Sequence, residues 1–293
     1  YNPGGYFQLG TSIMDNPGDA KYGMTHDQII EAFKMAGNVV AMTGDGVNDV
    51  LALKCADCSV AMASGSEATA QAAQIVLLDS DFSRMPEIVL EGRRVVNNVQ
   101  RSASLFLVKN LFSLLLTIFS TVLMISYPLM PSQVSLISMF TIGIPGFLLA
   151  LEPNKSRIKG HFLGNVLLKA LPAGLTDFFA VSALVICGHV FNIPSTDIAT
   201  ASTLLIAVVG FMIMIKISHP FNNFKYGILA LNIFGLIFCG LFLDNLFAMS
   251  DMSNICILLT IVFGFAAESM FRYITIFVEF IQNRMRKKKN ALR

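Results

Sequence analysis

The stretch Thr43-Gly44-Asp45-Gly46-Val47-Asn48-Asp49 decides the fold of this chain, and it lies between two apolar segments. Residues 39–42 before it are typical of a buried parallel strand, and residues 50–54 after it are typical of a helix. A strand, a glycine-flanked acidic loop and a helix form a site at the carboxyl end of a strand in a doubly wound sheet. A β-hairpin is the alternative, because Asp-Gly favours tight turns, but the helical pattern that follows favours the first interpretation.

The chemistry of this loop follows from its side chains. Two carboxylates and an amide, those of Asp45, Asp49 and Asn48, share one turn. Gly44 and Gly46 allow the backbone to come close to a ligand. Carboxylate oxygens suit a hard cation such as Mg²⁺, which prefers oxygen and keeps waters and phosphate oxygens among its ligands. The loop therefore predicts a magnesium site.

The same stretch resembles the hinge motif of the P-type cation-transporting ATPases, the last motif of their haloacid dehalogenase-like phosphorylation domain. Four further stretches follow in that family's order and spacing: Ala-Met-Ala-Ser-Gly-Ser at 61–66, Ile-Val-Leu-Leu-Asp at 75–79, Phe-Ser at 82–83 and Glu-Gly-Arg-Arg-Val-Val-Asn-Asn at 91–98. Thr-Ile-Gly-Ile-Pro at 141–145 is similar to bacterial pumps of the calcium-transporting kind. The resemblance covers about residue 25 to the end of the chain.

The resemblance implies a cycle in which ATP phosphorylates an aspartate, and making and breaking this aspartyl phosphate moves a cation. It implies that Asp45 and Asp49 hold Mg²⁺ and that Asn48 orients phosphate or water, which fits the need of phosphoryl transfer for positioning and charge neutralisation. ATP and Mg²⁺ are the expected cofactors, and Ca²⁺ is the first candidate for the transported cation, with Mg²⁺ or another cation as alternatives. The remaining loop positions expected on the phosphate side are Thr43, Gly44 and Gly46.

Several parts of the family pattern do not occur in these 293 residues. They lack Asp-Lys-Thr-Gly-Thr with its phosphorylated aspartate, the Thr-Gly-Glu dephosphorylation loop and anything like the nucleotide-binding domain. The family's lysine before the hinge motif falls by spacing at His26, with Gln28 close by, and neither is a fixed cation at pH 7. The chain alone is expected not to hydrolyse ATP, and the actuator, nucleotide-binding and phosphorylated-aspartate regions of a longer protein are its expected partners.

Two other functions compete with that interpretation. A truncated, catalytically inactive membrane module, acting as a partner of a pump, would also lack the phosphorylated aspartate. A membrane-tethered phosphatase of the haloacid dehalogenase class would need an Asp-x-Asp nucleophile before the hinge motif, and residues 1–43 contain none. The phosphatase therefore ranks last.

Composition predicts an integral membrane protein. The chain is 54% hydrophobic and 14% charged, with a mean hydropathy of +0.64, which is too apolar for a soluble domain. We predict a poorly defined segment (1–24), the end of an α/β phosphorylation domain (25–90), a stalk helix (91–104), a six-helix membrane domain (105–281) and a basic tail (282–293). Six apolar segments have about the ~20 residues needed to cross a bilayer: 105–125, 134–151, 166–190, 199–217, 226–247 and 256–280.

The charges of the connecting segments predict the topology of a multi-pass cell-membrane protein. The loops assigned to the outside contain no Lys or Arg, whereas those assigned to the inside are basic, which is the positive-inside pattern. Residues 1–104 and the tail are therefore predicted to be cytoplasmic. The tail could bind nucleic acid, but its place beside a membrane helix favours lipid headgroups. The inside residues are Lys155, Arg157, Lys159, Lys216, Lys225, Arg284, Arg286, Lys287, Lys288 and Lys289.

Polar groups within the spans are costly to bury in lipid and are therefore candidates for the transport path. The family builds its ion site from the first two spans found here, and Asn110 matches a ligand position. Ile142 and Ser113 stand where family members place carboxylates, so a site here would hold fewer charges or would recruit Asp177 from the third span. We expect Asn110 and Thr141 to face each other. The predicted cation ligands are Asn110, Ser113, Ser138, Thr141, Pro145, which would free backbone carbonyls, and Asp177.

Structural roles compete with these assignments. Ser138 could serve as a hydrogen-bonding residue between membrane helices. Lys109 is expected to pair with a buried carboxylate, of which Asp177 is the first candidate. Glu268 is expected to pair with Arg272, four residues later on the same helix, rather than to bind an ion.

Overall fold

A computed structural model describes residues 25–152, 154, 156–158 and 161–291, with side chains as far as Arg284. The predicted segment 1–24, the loop lysines Lys155 and Lys159 and the side chains of the tail after Arg284 lie outside this description. The chain divides into two units, Tyr1–Ile88 and Val89–Arg293.

The first unit is a small α/β structure. Its first helix begins after Thr25, a residue type favoured at N-caps, whose backbone N–H donates to the Gln28 side chain at 3.1 Å. Gly37 follows that helix at a φ of 80°, the left-handed conformation common just past a helix end. The elements are α1 (His26–Met35), β1 (Ala41–Gly44), a 3₁₀ turn (Val47–Asp49), α2 (Val50–Cys55), β2 (Cys58–Met62), α3 (Glu67–Ala72) and β3 (Ile75–Leu77).

The three strands pair in parallel in the order β1-β2-β3. Thr43 lies opposite Val60 and Gly44 opposite Ala61, so β1 runs into the acidic stretch itself. The prediction of a buried strand at residues 39–42 was wrong by two residues, because pairing with β2 begins at Ala41 and Val39 is 87% exposed. Since parallel strands bring their carboxyl ends to one edge, the loops after β1 and β2 are neighbours there.

The second unit is a helical bundle. Its described residues contain six stretches long and apolar enough to cross a membrane, which confirms the six predicted spans. The predicted first span extends three residues too far, because its helix ends at Val122 and Met124 turns the chain at a φ of 55°. The elements are α4 (Met85–Val122), which begins in the first unit after a 3₁₀ turn (Phe82–Arg84), α5 (Pro131–Ser138), a π-helical turn (Met139–Gly143), α6 (Ile144–Ala150), α7 (Phe162–Val190), α8 (Ser195–Ser218), α9 (Asn223–Phe242), α10 (Asp244–Phe247) and α11 (Asn254–Ala291).

The core of the bundle forms where α4, α7, α8 and α11 meet. Leu105, Ala173, Val209 and Ala267, one from each helix, belong to one buried apolar cluster and are at most 2% exposed. Small residues at such positions let membrane helices approach closely, and this close packing stabilises helix pairs that have no hydrophobic driving force in lipid.

The second span is one α-helix in the sequence prediction and three segments in the structure. A π-helical turn at Met139–Gly143 separates α5 from α6, and the N–H of Ile144 donates to the carbonyl of Met139. Pro145 follows at the first turn of α6. Because proline has no N–H to donate, it favours an irregular hydrogen-bond pattern just before it, and the π-helical turn lies just before Pro145.

Candidate functional site

The acidic loop after β1 is held closed by Asp49. One oxygen of its carboxylate, Oδ2, accepts hydrogen bonds from the backbone N–H groups of Asp45 and Gly46, each at 3.2 Å. The Asp49 N–H donates back to the Gly46 carbonyl at 3.0 Å. This reciprocal bonding makes the loop a rigid turn, with the Asp49 side chain only 16% exposed.

Asp45 lies at the tip of this turn, and its backbone is fixed from a second side. The Asp45 carbonyl accepts from the N–H of Ser66 at 2.8 Å and from the hydroxyl of Thr69 at 3.2 Å. Ser66, a residue type favoured at N-caps, caps α3 by accepting from the N–H of Thr69 at 3.1 Å. The loop after β2 and the start of α3 therefore hold Asp45 in place.

Two glycines permit this close packing. A Cβ on Gly44 would lie 2.6 Å from Cβ of Asp49, and a Cβ on Gly65 would lie 2.4 Å from the carbonyl oxygen of Asp45. The predicted role of glycine in close approach thus applies to Gly44, although its neighbour is Asp49 rather than a ligand. Gly46 has room, since its Cβ would lie 3.6 Å from Asp49 Oδ2, an ordinary contact distance.

The side chain of Asp45 is left free by these contacts. It is exposed, and it makes no hydrogen bond or ion pair with any residue that the structure describes. Asn48, in the 3₁₀ turn, is exposed beside it, and Thr43 is half-buried in β1. An unpaired carboxylate on a fixed backbone is a suitable ligand for Mg²⁺, which needs only one or two protein carboxylates when phosphate and water complete its shell.

His26 occupies the remaining side of the loop. Its Nδ1 lies 3.3 Å from Oδ1 of Asp49, so both oxygens of that carboxylate have neighbours. This position, at the start of α1, is where spacing places the lysine of the resembled family. The geometry separates two acidic residues that the sequence treats alike. Asp49 accepts two backbone hydrogen bonds and has His26 beside its other oxygen, whereas the side chain of Asp45 has no bonded partner among the described residues.

A second candidate site is a cavity of about 40 Å³ within the helical bundle, between α4, the second span, α7 and α8. It is larger than the ~10–15 Å³ that one water needs. Its walls are mostly apolar, and its polar members come from three of the four elements: Lys109, Ser138, Thr141 and Asp177. Three of the six predicted cation ligands therefore share this cavity.

The other three do not line it. Asn110 is exposed, and Ser113 lies 3.4 Å from the hydroxyl of Tyr127. The expectation that Asn110 faces Thr141 was wrong, because successive residues of a helix point about 100° apart and Lys109 is the one that reaches the cavity. Pro145 is buried in α6 and affects the site through the π-helical turn before it.

Asp177 is the unusual group of the cavity. It is 2% exposed, and its Oδ1 has no hydrogen-bond partner among the described residues. The predicted ion pair with Lys109 is wrong for this structure, since Lys109 makes no ion pair within 4.0 Å with any described residue. The predicted pair of Glu268 and Arg272 is confirmed, at 2.5 Å on the exposed side of α11. The bundle thus holds a buried carboxylate and a nearby ammonium that are not bonded to each other.

Thr141 is set into the cavity wall by contact with α8. Its hydroxyl donates to the carbonyl of Ile137 at 2.8 Å, and Ser138 donates in the same way to Val134 at 2.6 Å. A Cβ on Gly210 would lie 2.7 Å from the Thr141 methyl group. Both hydroxyls keep lone pairs free to accept or to bind a cation.

Comparison with known proteins places both units of the chain among similar sequences. Residues 13–83 match the family of haloacid dehalogenase-like hydrolases. The chain is 38% identical over 222 residues to a probable cation-transporting ATPase, exp7, of Streptococcus pneumoniae, a match that covers 73% of this chain and 28% of that protein. It is 39% identical over 218 residues to the calcium-transporting ATPase CtpE of Mycolicibacterium smegmatis, covering 70% of this chain and 27% of that protein.

A shorter match extends to another calcium-transporting ATPase, from Bacillus subtilis, at 33% identity over 126 residues, or 43% of this chain and 14% of that protein. This chain therefore spans about a quarter of the length of the relatives that it matches. The matches and the six apolar helices confirm the resemblance read from the hinge motif.

Sequence reasoning did not find three residues that the sites depend on. Gly65 and Thr69 fix Asp45 from a neighbouring loop, and Gly210 receives Thr141 from another helix. The only sequence signal for the first two is their place after β2, since loops that follow adjacent parallel strands meet. For Gly210 the signal is weaker, because glycine is common in membrane helices.

Proposed function

We propose that this chain, which belongs to the P-type cation-transporting ATPases, supplies the magnesium-binding loop and six membrane helices of an ATP-driven cation pump. The observation that carries the proposal is the state of Asp45, whose backbone is fixed by two loops while its carboxylate stays free. A site that positions one carboxylate at the end of a parallel strand suits phosphoryl transfer, which depends on positioning and charge neutralisation.

Within this proposal the two aspartates of the loop differ in role. Asp45 would hold Mg²⁺, which when bound neutralises charge on the phosphoryl group. Asp49 keeps the loop in shape, since its Oδ2 already accepts two backbone N–H groups; a direct contact from its Oδ1 to the metal would have to replace His26 as neighbour. Asn48, exposed on the same turn, would orient phosphate or water.

The transported cation would pass through the cavity that contains Asp177. The supporting observations are its orphan carboxylate oxygen and the accepting hydroxyls of Ser138 and Thr141. Pro145 lacks the N–H that an α-helix would donate to the carbonyl of Thr141, which leaves that oxygen available. Ca²⁺ is the proposed cation because two of the relatives are calcium-transporting ATPases by name.

Lys109 constrains this part of the proposal. Lys109 lines the same cavity, so its positive charge would repel a divalent cation bound to Asp177. Cation binding would therefore require Lys109 to turn away or further carboxylates to contribute. Asn110 and Ser113 lie outside this cavity, and we retain Asn110 as a ligand on the exposed face of α4, where other helices of a longer pump would pack.

The test is Asp45→Asn in a complete pump that contains this chain. The variant should insert into the membrane normally but fail to form the Mg²⁺-dependent phosphoenzyme, because the amide cannot replace the charge of the metal ligand. Glu31→Gln is a matched control, since Glu31 is an exposed carboxylate on α1 with no bonded partner among the described residues. Normal phosphoenzyme in Asp45→Asn would remove Asp45 from the metal site, and equal loss in both variants would indicate a general effect of charge.

A further inference from the structure

A second, larger pocket lies at one end of the helical bundle, away from the cavity of Asp177. Its volume is about 380 Å³. It is formed by α4, α7, α8 and α11 together with the segment between α6 and α7, and its walls are mainly polar. Its lining includes Gln100, Arg101, Arg157 and Lys169.

The charges around this pocket all have one sign. Arg101, Arg157 and Lys169 line it, and no described carboxylate does. Glu152 is near Arg101, but it is already occupied by Lys225 at 3.1 Å and by the side-chain amide of Asn222 at 2.6 Å. Arg101 and Lys169 line the same pocket, so their like charges repel each other. An anion in the pocket would relieve this repulsion.

Hydrogen-bond donors in the wall also lack acceptors. Gln100 is 5% exposed and Arg101 is 7% exposed. Arg101 donates through Nη1 to the carbonyl of Leu149 at 3.2 Å, which leaves its other N–H groups without a partner among the described residues. The side chains of Gln100 and Lys169 make no hydrogen bond or ion pair with any described residue. Donors that line a pocket and have no acceptor among the described residues are free to bind an acceptor-rich group that enters it.

We propose that this pocket binds a phosphate-bearing anion, supplied either as the headgroup of an anionic phospholipid or as a free phosphate. Arginine presents a planar fork that matches phosphate oxygens, lysine adds a compact charge, and the Gln100 amide can donate a further bond. The basic loop that lines the pocket is predicted to be cytoplasmic, and basic pockets between membrane helices on that side bind anionic headgroups. The site does not depend on the proposed pump activity.

Lys169→Gln is the decisive variant, because Lys169 is exposed at the pocket and its replacement leaves the buried wall intact. Lys216→Gln is the matched control: it removes one positive charge near the end of α8, but Lys216 is outside the pocket and is paired with Glu279 at 2.9 Å. The purified chain would be measured in phosphatidylcholine nanodiscs with or without phosphatidic acid. Native mass spectrometry would count retained lipid, and the thermal midpoint would be followed with and without inorganic phosphate.

The lipid-retention measurement and the phosphate measurement together identify the source of the anion. A lipid headgroup is supported if the wild type retains phosphatidic acid and Lys169→Gln weakens this retention about tenfold. In that case Lys216→Gln should retain the lipid as the wild type does, and inorganic phosphate alone should not change the thermal midpoint. A free phosphate is supported if inorganic phosphate alone raises the thermal midpoint of the wild type and this increase is absent in Lys169→Gln. Lys169→Arg should keep the binding, because it keeps the charge. Equal loss in Lys169→Gln and Lys216→Gln, or no binding of either probe by the wild type, overturns the proposal.

Discussion

Asp49 and Asp177 are both largely buried carboxylates, but they differ in their hydrogen bonding. Asp49 accepts two backbone hydrogen bonds on one oxygen and faces His26 on the other. Asp177 is 2% exposed, and its Oδ1 has no partner among the described residues. A buried polar group that is satisfied stabilises the structure around it, whereas one left unsatisfied raises the free energy of the fold until a ligand or a proton reaches it.

The comparison separates scaffold from ligand site within each unit. In the loop, Asp49 is the scaffold, and the free carboxylate of Asp45 is the ligand site. In the bundle, Thr141 is held by Gly210 and Ile137, and Asp177 is the free group. If this division is correct, changes to the scaffold should act through geometry, and changes to the free groups should act through ligand affinity.

The largest effect is expected from Gly65→Ala in a complete pump. The added Cβ would lie 2.4 Å from the Asp45 carbonyl oxygen, so the backbone of Asp45 must move. Misplacing a catalytic group by about 1 Å costs roughly a hundredfold in rate, and we expect that loss in the rate of phosphoenzyme formation. Gly92→Ala is the control, because a Cβ at Gly92 meets nothing within 4 Å. A phosphorylation rate equal to wild type in Gly65→Ala would show that the loop after β2 does not position Asp45.

A smaller effect is expected from Asp177→Asn, which removes the free charge of the membrane cavity. The apparent affinity for the transported cation should fall at least about tenfold, or ~1.4 kcal/mol, in cation-stimulated ATPase activity of the complete pump. Glu268→Gln should change it much less, since Glu268 is exposed and paired with Arg272. If the cation dependence of ATPase activity were unchanged in Asp177→Asn and lost in Glu268→Gln, Glu268 rather than Asp177 would be the cation ligand.

Much of the fold could be predicted from the sequence, and the reason is local. The order of strand, acidic loop and helix, the Thr25 and Ser66 caps and the six apolar segments are each encoded in a short window of residues. Strand β1 was misplaced by two residues because its start is set by pairing with β2, which the window at 39–42 does not contain. The sequence also does not reveal the end of α4 at Val122, because no proline or glycine marks it.

The sites were harder to predict because they depend on rotation and on distant neighbours. The sequence predicts Asn110 opposite Thr141, whereas Lys109 lines the cavity with Thr141, and one step along the helix turns the side chain about 100°. The same limit explains Gly210, whose contact with Thr141 joins residues about 70 positions apart. The two aspartates of the loop were assigned one role, because hydrogen bonds to backbone N–H groups are not visible in the sequence.

Gly210→Ala tests how firmly the scaffold of the cavity is packed. The new Cβ would lie 2.7 Å from the Thr141 methyl group, and overpacking of a closely packed interior costs about 1–3 kcal/mol. The thermal midpoint of the purified chain in detergent should fall, while Gly240→Ala should not lower it, because a Cβ at Gly240 meets nothing within 4 Å. If Gly210→Ala is as stable as wild type, Thr141 can move, and its position in the cavity wall is not fixed.

The smallest effect concerns Asp57, a satisfied carboxylate at the other end of the sheet from the loop. Its Oδ2 accepts from the Val40 N–H at 2.9 Å and its Oδ1 lies 3.1 Å from Lys34, and the Val40 hydrogen bond, followed by Lys34, lowers the pKa of Asp57 below its ordinary value of 3.8. Because the folded pKa is lowered, the stabilisation is complete above the unfolded pKa and is lost as the pH falls through the folded pKa.

Hydrogen exchange at the Val40 amide, corrected for intrinsic rates, should therefore be faster in Asp57→Asn than in wild type near neutral pH, and the two should converge below pH 3.8. Asp79→Asn, at an exposed carboxylate with no bonded partner among the described residues, should leave the Val40 amide unchanged at every pH. A wild-type amide whose protection is independent of pH would mean that Asp57 does not hold the start of β1.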